Sequence, residues 1–67
     1  MNNEQITTLL AYLIGSRYVP SVKAYITELT GRPLVVGPGD VSTMDYNPQR
    51  IQVNADNAGR ITGFGFA

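Results

Sequence analysis

Apolar residues near the start of the chain recur at spacings of three and four. Ile6, Leu9, Leu10 and Leu13 therefore share one helical face, and the spacing predicts a helix over 1–14. Asn2 suits its N-cap, Gln5 three residues on completes a weak capping-box pattern, and Gly15 is a natural stop. Ser16 to Val19 reads as a link. A second stripe, Val22, Tyr25, Ile26 and Leu29, predicts a helix from Pro20 or Ser21 to Thr30. Proline is tolerated in a first turn, where its missing N–H has no helical role. Gly31 then caps the helix and Pro33 prevents its continuation. Lys23 and Glu28 fall on the solvated face.

The period then changes. Leu34-Val35-Val36 reads as a short strand, broken by the rigid bend Gly37-Pro38-Gly39. Over 50–55, Ile51, Val53 and Ala55 alternate with Gln52 and Asn54, the period of a half-buried strand. Asp56-Asn57-Ala58-Gly59 has turn composition. Arg60 to Phe66 reads as a third strand, antiparallel to the second. Ile61 and Phe64 cannot share a face of a regular strand, so a bulge is expected there, and Gly63 and Gly65 permit it. Val22, Ile26 and Leu29 are expected to pack on the sheet face carrying Ile51 and Val53. Residues 1–67 form one domain.

Between the apolar runs lies a polar segment, Gly39 to Ile51, with neither helical nor strand period. Loops of this length in small domains are functional or disordered. Met44 sits inside Ser42-Thr43-Met44-Asp45-Tyr46-Asn47-Pro48 and belongs to no stripe. The pattern reads as an apolar side chain presented to another protein, with Arg50, five residues after Asp45, placed to brace it.

Composition narrows the choice. The 67 residues include no Cys and no His, which removes disulfides, the usual zinc ligands and the common general bases and nucleophiles. Ser21 and Lys23 are too close in sequence to be oriented as a catalytic pair, and the reading is not an enzyme. Stability must come from packing, which 43% hydrophobic residues allow. Five basic and five acidic residues give zero net charge, which argues against nucleic acid as a partner. No apolar run approaches the ~20 residues of a membrane span. Asp40, Asp45 and Asp56 are scattered rather than grouped as metal ligands, and Gly37-Pro38-Gly39 lacks the Lys and following helix of a phosphate loop. No cofactor is expected, and a monomer is. No signal peptide is visible within the chain; a secreted parent and a cytoplasmic chain starting at Met1 both stay open.

At the loop the chain resembles a known family. Gly39-Asp40-Val41-Ser42-Thr43-Met44-Asp45-Tyr46, then Arg50, Asp56 and Ile61, is similar to the potato inhibitor I family of serine-protease inhibitors. The likeness is closest to its short bacterial and fungal branch, through Leu13-Ile14-Gly15, Pro38-Gly39-Asp40, Thr43, Asp45, Arg50-Ile51-Gln52, Asp56 and Gly59-Arg60-Ile61. It covers nearly the whole chain and is strongest from Pro38 to Ile61. The resemblance implies an α+β fold: a helix on a small mixed sheet, made of a parallel strand pair and a C-terminal hairpin, with the first helix as an addition. It implies that the loop joining the parallel strands, Val41, Ser42, Thr43, Met44, Asp45, Tyr46 and Asn47, enters a subtilisin- or chymotrypsin-like protease. Met44–Asp45 would be the scissile bond and Met44 the residue in the primary pocket. Arg50 and Gln52 would support the loop from beneath, Arg50 through Asp45, Thr43 and the chain end at Ala67, as a peripheral and partly solvated contact. Gln52 stands where the family carries a second bracing Arg or, in the short branch, an Asn; Gln still donates hydrogen bonds. The alternative is an interaction module of the same fold that does not inhibit.

Overall fold

The computed structural model describes residues 1–40 and 45–67. Helix α1 spans Asn3–Leu10 and runs into a 3-10 turn over Ala11–Leu13; helix α2 spans Ser21–Thr30; strands follow at Val35–Val36 (β1), Ile51–Ala55 (β2) and Ile61–Phe66 (β3). The three strands form one sheet in the order β1-β2-β3, with β1 parallel and β3 antiparallel to β2. The fold is therefore α+β, two helices on a small mixed sheet.

The first helix starts where the capping pattern places it. Asn2 Oδ1 accepts from the Gln5 amide at 2.8 Å, and Gln5 Oε1 accepts from the Asn2 amide at 2.9 Å. It ends sooner than the apolar period predicts. Thr7 and Thr8 bond back to the carbonyls of Asn3 and Glu4, an arrangement that loosens a helix. Beyond Leu13 a competitor takes over: the Gly15 amide donates to the Ile61 carbonyl at 2.8 Å, and Ile61 returns a bond to Ser16 at 2.8 Å. Tyr18 adds a bond to the Gly59 carbonyl, and Arg17 bridges to Arg60. The segment read as a link is thus paired, along its main chain, with the start of β3. Gly15, at φ 93°, makes the turn into it.

The core is small. Ile6 and Leu10 of α1, Ile26 of α2, Ile51 and Val53 of β2 and Ile61 of β3 are all buried. Leu13, Tyr18, Val22, Val35, Phe64 and Phe66 pack around them. On α2 the expected stripe is narrower than predicted: Ile26 is buried and Val22 half-buried, but Leu29 and Tyr25 are exposed. A sheet of three short strands covers only the centre of the helix face, so its flank stays in water. The Tyr25 hydroxyl instead meets that of Tyr12.

The irregularity expected in β3 is present. Asn54 faces Gly63 while Ala55 faces Ile61, which leaves Thr62 as the extra residue. That one-residue shift brings Ile61 and Phe64 to the same side of the sheet. Asp56 closes the β2–β3 turn, its Oδ1 accepting from the amides of Ala58 and Arg60 at 2.9 and 3.0 Å. Among the described residues, no helix is long and apolar enough to cross a membrane.

Candidate functional site

Parallel strands need a crossover, and β1 and β2 are joined by residues 37–50. The described parts of this connection are its outgoing limb, 37–40, and its returning limb, 45–50. Val41, Ser42, Thr43 and Met44 lie outside the described residues, and with them the Met44 side of the expected reactive bond.

The outgoing limb is a tied turn. The Asp40 amide donates to the Gly37 carbonyl at 3.1 Å, and Asp40 Oδ2 accepts from the Gly37 amide at 2.8 Å. The same carboxylate oxygen takes a proton donor from Lys23 Nζ on α2, at 2.9 Å. Lys23 stays on the solvated side of α2, as its helix position implies, and reaches the outgoing limb from there. The ammonium of Lys23, and then the Gly37 amide, hold the Asp40 carboxyl below its ordinary range, and Asp40 in turn raises the Lys23 pKa. Gly37 is itself constrained, because a Cβ there would run into the Tyr18 hydroxyl and lie 2.6 Å from Tyr18 Cζ. Tyr18 thus packs on the loop's departure point.

The returning limb is held more heavily. Asn47-Pro48-Gln49-Arg50 makes a turn in which the Arg50 amide donates to the Asn47 carbonyl at 3.0 Å, with Pro48 at the position that fixes φ. Asn47 Oδ1 accepts from the Gln49 amide at 2.9 Å, so its side chain is committed to the turn. Asp45 is exposed, and Tyr46, at 76% exposed, stands out into solvent. Arg50 lies beneath them, 8% exposed. Its Nη1 donates to the Asp45 main-chain oxygen and to the Ala67 main-chain oxygen, both at 3.2 Å. Gln52 Nε2 reaches the same Ala67 oxygen at 3.2 Å. Arg50 is thus buried, where the sequence suggested a peripheral, partly solvated contact. Its guanidinium lies between the returning limb and the end of β3, where the Asp45 and Ala67 main-chain oxygens both accept from it.

A second buried guanidinium, Arg32, carries no signal in the sequence, since an Arg just after a helix cap reads as a surface cation. Only its side-chain contacts give it away. Nη1 donates to the Gln49 carbonyl at 3.2 Å, and Nη2 donates to the Met1 carbonyl at 3.1 Å and to Asn3 Oδ1 at 2.9 Å. Asn3 Nδ2 donates to the Pro48 carbonyl at 3.1 Å.

These features define a class: a disulfide-free α+β domain that carries a long crossover loop, tied at both limbs, on its parallel strand pair. The chain matches the peptidase inhibitor I78 family over residues 7–65, and it belongs to that family. It is also similar to a crystal structure of the elastase inhibitor AFUEI, with 26% identity and a TM-score of 0.63 over 96% of this chain and 93% of that one. No curated protein matches it. The resemblance read from the loop thus led to peptidase inhibition, and the family that matches is I78.

Proposed function

We propose that this chain inhibits serine proteases by binding them in the manner of a substrate, through the loop 41–47, with Met44–Asp45 as the scissile bond. The mode of binding is that of the potato inhibitor I family, to which the loop sequence is similar. The observation that carries the reading is Arg50: a buried cation whose Nη1 holds the main-chain oxygen of Asp45, the residue that would follow the scissile bond. Membership of a peptidase-inhibitor family and likeness to an elastase inhibitor support the same function.

The physics is that of preorganisation. A loop tied at Asp40 on one limb and at Asp45–Arg50 on the other loses little freedom on docking, so binding free energy is not consumed in ordering it. If the bond is cut, the new amine of Asp45 stays beside the acyl-enzyme, and religation competes with hydrolysis. Chymotrypsin-like enzymes, elastase among them, and subtilisins are the proposed targets, because Met44 is unbranched and apolar.

Active-site titration of subtilisin, chymotrypsin and elastase with the purified chain tests this. Stoichiometric loss of activity against at least one is expected. If none is inhibited at micromolar chain, the substrate-like reading fails and the fold serves as an interaction module.

A further inference from the structure

Arg32 is buried at 8% exposure, and all of its partners named above are neutral oxygens. Enclosing a guanidinium is costly unless its donors are satisfied, and in a domain of 67 residues that cost needs a return. The partners lie far from it in sequence: Gln49 on the returning limb of the loop, Met1 and Asn3 at the start of α1. Asn3 then reaches Pro48. Two consecutive carbonyls of the returning limb, Pro48 and Gln49, are thus held from the helix side, one residue before Arg50 takes the Asp45 oxygen.

We propose that Arg32, together with Asn3, is a second positioning group for the reactive loop, clamping Pro48–Gln49 and making the start of α1 part of the inhibitor's support. This rests on the inhibitory reading above. Arg50 fixes the residue next to the scissile bond; Arg32 fixes the base from which that residue projects. Without the second clamp, the turn 47–50 pivots on its own hydrogen bonds, and the Asp45 amine of a cut loop departs more easily. The planar fork is essential, because it serves Gln49 through one nitrogen and α1 through the other. The first helix, an addition by its sequence, is in this account a strut.

The test uses three variants and one control. Arg32→Ala should weaken inhibition about tenfold, the worth of one charge-assisted hydrogen bond, and speed cleavage of Met44–Asp45 to match. Arg32→Lys keeps the charge without the fork and should fall between the parent and Arg32→Ala. Asn3→Ala, at a half-buried position that leaves the core intact, should weaken inhibition about threefold and keeps the test open if Arg32→Ala does not fold. Ile61→Val trims the core away from the loop, lowers stability, and should leave inhibition unchanged. In the free protein, amide exchange at Gln49 and Arg50 should quicken in the Arg32 and Asn3 variants but not beyond global unfolding in Ile61→Val. Inhibition, cleavage and exchange in Arg32→Ala and Asn3→Ala that move no more than in Ile61→Val would overturn the second brace. If the parent inhibits no protease yet exchange at Gln49 and Arg50 quickens as expected, the clamp stands and the inhibitory reading falls.

Discussion

Arg50 and Gln52 converge on one acceptor: each donates to the Ala67 main-chain oxygen, at 3.2 Å. Arg50 directly precedes β2 and Gln52 lies two residues on within it, and Ala67 follows the last residue of β3, Phe66, which pairs with Ile51. The hairpin register thereby brings the chain's last residue under the returning limb of the loop.

Arg50→Ala removes a buried donor and leaves the Asp45 and Ala67 oxygens with one partner fewer. Burial means that stability falls as well as inhibition: a loss of about 1–3 kcal/mol is expected, and roughly 4–8 °C in Tm for each kcal/mol in a domain this size. Gln52→Arg adds a charged donor on the same side and should slow cleavage. Mass spectrometry of chains incubated with subtilisin, alongside thermal unfolding, checks both. Cleavage of Arg50→Ala at the parental rate would show that the brace does not protect the bond.

Met44 lies outside the described residues, and its role is proposed from the loop sequence. An apolar, unbranched side chain suits deep apolar pockets, so trypsin should be bound weakly. Met44→Lys should reverse that preference, increasing trypsin inhibition by tenfold or more, roughly the worth of one charged contact. Inhibition constants for trypsin and chymotrypsin before and after the change decide it; equal trypsin binding in both would remove Met44 from the pocket.

Ile26 is fully buried between α2 and the sheet. Ile26→Ala should cost about 2–5 kcal/mol, enough to unfold so small a domain, whereas Leu29→Ala on the exposed flank should cost well under half of that. Urea unfolding followed by circular dichroism separates them. A penalty for Ile26→Ala well below 1 kcal/mol would contradict this core.

The Lys23–Asp40 pair gives a pH dependence of known sign. Asp40's folded pKa is depressed, first by Lys23 and then by the Gly37 amide, so its contribution is present above the ordinary value of 3.8 and is lost as pH falls through the depressed one. Lys23's folded pKa is raised, so its contribution is present below 10.5 and is lost as pH rises through the raised value. Both groups are exposed to solvent, so the effect is modest and shrinks in salt. Tm should decline on the acid side in the parent and decline less in Asp40→Asn; identical acid limbs in the two would show that the pair does not anchor the outgoing limb.

Much of this architecture was legible in the chain because it is set by local chemistry. The Asn2–Gln5 capping box, the left-handed Gly31 that ends α2, the Asp56 turn and the bulge between Ile61 and Phe64 each depend on a few neighbouring residues and on conformations only some side chains allow. The loop was legible too, as a polar interval between two β-branched runs. Tertiary structure decided the rest. Residues 15–18 pair with β3 through main-chain groups, which every residue carries and no side-chain pattern advertises. That pairing starts at Gly15, and within the helix Thr7 and Thr8 bond back to main-chain carbonyls, so the first helix stops short of its apolar period. The charged residues changed most: Arg32 looks like a surface cation in the sequence and Arg50 like a peripheral, partly solvated brace, and both are buried, with carbonyls from other segments converging on them. A guanidinium's partners are set by where the chain returns in space. For that reason the side chains that hydrogen-bond the returning limb could be named only in part from the sequence, while the polar interval itself stood out.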